Sequence, residues 1–132
     1  MPKLTAQQAS ILANNFLGLG QAIGDYRYEN WTTLSKADNQ NLGGLQWSIL
    51  NYGEDVLALS TVLVMNDVAD SLNRVNDITT QIKSTIQKLK NIQKVISVAT
   101  AIVTFGAAVI SKNPQTISTT LDGLFNAWKQ KA

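Results

Sequence analysis

The stretch VADSLNRVNDITTQIKSTIQKLKNIQKVISVATAIVTFGAAVIS, residues 68–111, decides the fold class of this chain. Val68, Val75, Ile82, Leu89, Ile96, Val103 and Ile110 recur every seven residues, with Leu72, Ile78, Ile86, Ile92, Ala99 and Ala107 between them. The mean apolar step is near 3.5 residues, the period of a coiled-coil or helical-hairpin seam. No glycine or proline interrupts the chain between Gly53 and Gly106, and no strand-like alternation competes with the helical period.

Working outward, the spacing predicts four helices in one domain over residues 1–132. Thr5 and Gln8 have the spacing of a capping box, and Ala9, Ile11, Leu12, Phe16, Leu19 and Ile23 follow at helical intervals. This first helix is expected over 5–24, weakened by Gly18, Gly20 and Gly24, with the aromatic segment 25–33 continuing as a helical extension and then a loop. Ser35 with Asp38 marks a second start, followed by Leu42, Leu45, Ile49, Tyr52, Val56, Leu59 and Leu63. Leu50, Leu57 and Val64 widen that stripe, so this helix is expected to be central. An unbroken helix from Ser35 to Ser111 would measure about 115 Å, too long to pack on itself. The poorest helix formers cluster at Asp70–Asp77, which puts the turn of a long hairpin there. Asn113 and Pro114 supply a cap and first residue for a last amphipathic helix. The expectation is therefore an all-α, four-helix elongated bundle dominated by a long helical hairpin, with helices at about 5–24, 36–72, 76–111 and 114–130.

Composition narrows the chemistry. The 132 residues include no Cys and no His, so there is no disulfide, no thiolate and no imidazole to act as base, nucleophile or soft metal ligand. Enzymatic activity is not expected, and no cofactor, metal or small-molecule substrate is called for. Asp67 and Asp70 share a helical face and could hold a hard cation with Asn66 or Asn73, but lack the glycine-containing loop of a calcium site. Gly18-Leu19-Gly20-Gln21-Ala22-Ile23-Gly24 departs from a dinucleotide fingerprint in its spacing. Gly20 and Gly24 could also serve a close helix contact, but a bend or helix end is expected ahead of either reading. Asn30-Trp31-Thr32 matches a glycosylation sequon, which matters only in a secreted chain. Tyr26, Tyr28, Trp31 and Trp47 could anchor at a membrane interface, stack nucleic-acid bases beside Arg27, or pack the connection between the first two helices.

The net charge of +2 is unevenly spread, since no Asp or Glu occurs between Asp77 and Asp122. Lys83, Lys88, Lys90 and Lys94 fall in this acid-free segment. On one continuous helix Lys83, Lys90 and Lys94 would form a basic face away from the apolar seam, suited to weak attraction to an anionic membrane. A specific nucleic-acid partner is not expected from so sparse a cluster. Immediately after it, Val95–Ser111 holds thirteen apolar or glycine residues of seventeen. Val95, Ile96, Val98, Ala99, Ile102, Val103, Phe105, Val109 and Ile110 are its candidate membrane or interface residues. At about 25 Å the stretch is marginal for spanning a bilayer core of about 30 Å, and a fully surrounded core helix is the competing reading.

A lysine-bearing amphipathic helix leading into an apolar stretch closed by Lys112-Asn113-Pro114 is similar in layout to the α-helical pore-forming toxins. The similarity covers roughly residues 68–114 and implies a soluble bundle that shelters a membrane-entering segment; no residue role is carried across from it. The leading expectation is a non-enzymatic protein acting by self-association or by membrane association through 95–110. The alternative is a soluble interaction or accessory module that binds a larger protein, with 95–110 as core or obligate interface. The N-terminus lacks the apolar run of a cleavable signal, so the chain is expected in the cytoplasm, or released by a leaderless route and peripheral to a membrane.

Overall fold

A computed structural model describes residues 3–59 and 62–129. The chain is all-helical: α1 Ala6–Glu29, α2 Lys36–Leu59, α3 Val68–Thr85, α4 Ile92–Ser111 and α5 Pro114–Lys129, with a 3₁₀ turn at Ile86–Lys88. The three local start signals form as their chemistry requires. Thr5 and Gln8 make the reciprocal capping box, Ser35 Oγ accepts from Asp38 N at 3.0 Å, and Asn113 Oδ1 accepts from Gln115 N and Thr116 N.

Two boundaries differ from the sequence expectation. The turn placed at 70–77 lies inside α3, so the long hairpin of helices 36–72 and 76–111 does not form. The chain leaves helix instead before Val68 and again between Ile86 and Asn91. At the first break, Val64 bridges to Lys3, and Leu4 N donates to Leu63 O at 3.0 Å. Asp67 then adopts a left-handed conformation (φ 43°) and caps α3 through Asp70 N at 3.2 Å. At the second, Leu89 is extended and Asn91 caps α4 by accepting from Gln93 N and Lys94 N. The polar residues of 70–77 are compatible with helix because the bundle gives them partners. Ser71 Oγ donates to Asn66 O at 2.8 Å, and Asn76 Oδ1 accepts from the buried Asn15 amide at 2.7 Å.

The extended residues before Asn91 also reset the helical phase. Val68, Val75 and Ile82 are buried on α3, but on α4 the buried seven-residue series is Val95, Ile102 and Val109, one position earlier than the unbroken repeat demands. Ile96, Val103 and Ile110 are only half-buried.

Helix α1, not α2, is the central element: it packs against α2, α3, the 3₁₀ turn and α4. It runs five residues past Gly24, so the helix does not end there, and Asn30 caps it. Its glycines serve close approach to the antiparallel α2. A Cβ on Gly20 would stand 2.6 Å from Leu50 Cδ2, and one on Gly24 would stand 2.4 Å from the Gln46 amide nitrogen. Farther along, Arg27 lies against Gly43, its Nε donating to Asn39 Oδ1 and its Nη1 to Gln46 Oε1. Tyr26 is buried, with its hydroxyl donating to Leu89 O at 3.2 Å, and burial pushes its pKa up. At the centre, Phe16 of α1 stacks on Phe105 of α4 at 5.7 Å and tilts against Tyr52 of α2 at 6.4 Å. The space left beside Phe16, Val75 and Phe105 admits no water molecule.

Candidate functional site

Helix α4 carries the residues singled out in the sequence. Its twenty residues extend about 30 Å at 1.5 Å per residue, longer than the 17-residue stretch alone because Ile92–Lys94 belong to the same helix. Of the nine candidate interface residues, Val95, Val98, Ala99, Ile102, Phe105 and Val109 are buried, and Ile96, Val103 and Ile110 are half-buried. This face is core in the folded bundle, held mainly by α2 and α5. Gly106 allows a close approach to α2: a Cβ there would stand 2.4 Å from the Tyr52 ring.

Beyond Gln93 in its first turn, the outward face of α4 is formed by Ser97, Thr100, Thr104, Ala107 and Ser111, all small and none charged. On α3 the water-facing side carries Asp70, Asp77 and Lys83, whereas α1 from Ala6 to Gly24 and α2 from Asn39 to Gly53 are, like α4 beyond Lys94, without charge. There the exposed side is made of larger amides such as Gln7, Asn14, Gln21 and Gln40, in place of the small residues of α4. Three of the hydroxyls on α4 turn inward to the helix's own backbone. Thr100 Oγ1 donates to Ile96 O at 2.8 Å, Thr104 Oγ1 to Thr100 O at 3.0 Å, and Ser111 Oγ to Ala108 O at 2.6 Å. Such i−4 or i−3 bonds satisfy a hydroxyl without water.

The four lysines are not carried on one continuous helix. Lys83 sits on α3, with Nζ 3.3 Å from where a Cβ on Gly18 would stand; Lys88 lies in the 3₁₀ turn; Lys90 is in the connection to α4. Lys94, in the first turn of α4, donates from Nζ to Trp128 O at 2.6 Å and lies over the Trp128 ring. It thereby ties α4 to the end of α5, where cations complement the helix dipole. Lys90 and Lys94 precede the uncharged stretch, and Lys112, in a left-handed conformation at φ 61°, follows it.

A second link runs between α3 and α5. Arg74 pairs with Asp122 and lies over the Phe125 ring at 5.2 Å. Asp122 is exposed and Arg74 only half-buried, so this pair contributes at most about 1 kcal/mol.

The carboxylates considered for a cation are placed elsewhere in function. Asp67 accepts from Asp70 N as the α3 cap, and both carboxylates are exposed. Among the described residues, no group of three or more His, Cys, Asp or Glu side chains comes together. The aromatic set divides: Tyr26 is core, whereas Tyr28, Trp31 and Trp47 are 82%, 58% and 68% exposed. Packing of the α1–α2 connection therefore accounts for Tyr26 and for Leu34, but not for the other three aromatics.

No family model, curated protein or solved structure matches this chain. The functional reading rests on geometry alone.

Proposed function

We propose that this is a non-enzymatic protein that acts by associating with membranes through α4, which the soluble bundle shelters until contact with a bilayer. One observation carries the reading: α4 has the length of a bilayer core and no charge from Val95 to Ser111, even on the side that faces water. Helix α1 is also uncharged over Ala6–Gly24, but its water-facing side holds the amides Gln7, Asn14 and Gln21, whereas that of α4 beyond Gln93 holds only Ser, Thr and Ala. The backbone-bonded hydroxyls of Thr100 and Thr104 would enter lipid without leaving orphaned polar groups. Lys90 and Lys94 at one end and Lys112 at the other would reach the two headgroup layers by extending their side chains. The layout is that of a soluble helical protein with pore-forming capacity, in which copies of α4 would associate once inserted.

The membrane is expected to be anionic, because the chain carries no acidic residue between Asp77 and Asp122. Co-sedimentation and dye release with mixed phosphatidylcholine–phosphatidylserine vesicles test this. The expected result is binding and release that weaken as salt rises, through screening of exposed lysines. A folded monomer that neither binds nor permeabilises vesicles of any charge would contradict it.

A second reading draws on the burial of Val95, Val98, Ala99, Ile102, Phe105 and Val109. In that case α4 is permanent core, and the chain is a soluble accessory module for a larger partner or a second copy. Light scattering in detergent-free buffer and with vesicles separates the two.

A further inference from the structure

We infer that the cleft between the end of α1 and α2 is a binding site for a saccharide, about one sugar ring in size. The cleft measures about 280 Å³, at the lower edge of the range for small-ligand sites. Two aromatic residues border it, Tyr28 from the last turn of α1 and Trp31 from the loop that follows. Exposing both rings costs apolar contact that the fold could have used, as it uses Tyr26.

Trp31 is held in place. Its own N–H donates to Tyr28 O, Thr33 and Leu34 N–H both donate to Asn30 O, and Leu34 plugs into the core three residues later. Arg27 covers part of the indole with its guanidinium 5.6 Å from the ring centroid. More than half of the residue remains open. The polar lining comes from Asp25, Gln21 and Gln46, planar carboxylate and amide groups able to pair with adjacent hydroxyls. Gly24 forms the floor, where a side chain would collide with Gln46. An aromatic plane beside a few planar acceptors and donors suits a sugar, which offers a C–H face to the ring and hydroxyl pairs to the carboxylate and amides.

The same residues argue against the other occupants of an aromatic surface. Arg27 already spends Nε and Nη1 on Asn39 and Gln46, and Asp25 and Glu29 add negative charge, so a phosphate backbone meets no free cationic track. A concave, polar floor with a carboxylate likewise opposes burial in an anionic headgroup layer. The site is separate from α4 and stands whether or not α4 enters membranes.

Its test is a titration of the ¹⁵N-labelled full chain with methyl β-galactoside, methyl α-mannoside and N-acetylglucosamine. The three indole N–H signals report separately, from Trp31, Trp47 and Trp128. At least one sugar is expected to move the Trp31 indole and the amides of Gly24 and Asp25 while leaving Trp47 unmoved. Trp31→Ala should weaken binding roughly tenfold through loss of stacking, and Asp25→Asn, which keeps the shape, should also weaken it. No shift with any of the three sugars, or shifts unchanged in Trp31→Ala, overturns the inference. So does a cleft that answers only to a single-stranded oligonucleotide or to phosphatidylcholine vesicles.

Discussion

Thr100→Lys is expected to leave the soluble fold intact and to reduce vesicle permeabilisation on the order of 100-fold. Thr100 is exposed on the outer side of α4, close to the helix midpoint, where lysine meets water and is a good helix former. Its effect on folding stability should stay within about 0.5 kcal/mol. In a bilayer the same position would lie near the centre, where an ammonium costs about 2.5–3.5 kcal/mol on insertion scales, equivalent to roughly two decades in the insertion equilibrium. Circular dichroism and urea denaturation report the first quantity, and dye release the second. If Thr100→Lys permeabilises as well as the parent chain, α4 does not cross the bilayer.

Phe105→Ala should produce the opposite pattern, a loss in the fold itself. Phe105 is almost fully buried, stacks on Phe16, and lies next to Gly106 and the Tyr52 ring, in a region with no room for water to fill the vacancy. Truncation of such a ring costs about 3–5 kcal/mol, from lost transfer energy and the cavity left behind. A domain of this size holds about 5–15 kcal/mol in all. The urea midpoint should fall accordingly. If α4 must leave the core to act, the loosened bundle should also release dye faster at equal bound protein. A loss of unfolding free energy of less than about 1 kcal/mol would show that the aromatic contact among α1, α2 and α4 is not the centre of the core.

What could be read in the sequence was what local chemistry decides. Thr5 with Gln8, Ser35 with Asp38, and Asn113 with Pro114 fix helix starts through side chains within three residues of their targets, so no tertiary knowledge was needed. The apolar period through Val68, Val75 and Ile82 was equally legible, because a seven-residue spacing leaves one face to bury. The misplaced turn came from ranking helix propensity alone. Asp70–Asp77 contains poor helix formers, yet Ser71 and Asn76 find partners at Asn66 and Asn15 that only the folded chain supplies. The better signals were cap residues: Asp67 three before Asp70, following the β-branched Val62 and Val64, and Asn91 ahead of Ile92.

The helix pairing was harder to see. Gly20 and Gly24 could be a bend, a helix end or a contact, and the choice depends on Leu50 and Gln46, more than twenty residues away in sequence. With α1 and α2 forming the tight antiparallel pair, α2 exposes Trp47 and Leu57 in place of being surrounded. The continuous helix expected to carry the lysines is interrupted for a related reason. Lys83, Lys90 and Lys94 align only if the helix is continuous, and the extended connection at Leu89 separates them. On α4, composition revealed the uncharged stretch, but which side meets water, and that its threonines bond their own backbone, required coordinates.

The central claim is that α4 moves from protein core to lipid. The chain has no cysteine, so Thr104→Cys introduces a single attachment point for an environment-sensitive NBD fluorophore on the water-facing side of α4. In solution the label should emit as in water. On phosphatidylcholine–phosphatidylserine vesicles the account predicts a blue-shifted, brighter emission that a quencher on the lipid acyl chains suppresses and aqueous iodide does not. Vesicle-bound protein whose label keeps its aqueous emission and remains open to iodide would contradict it.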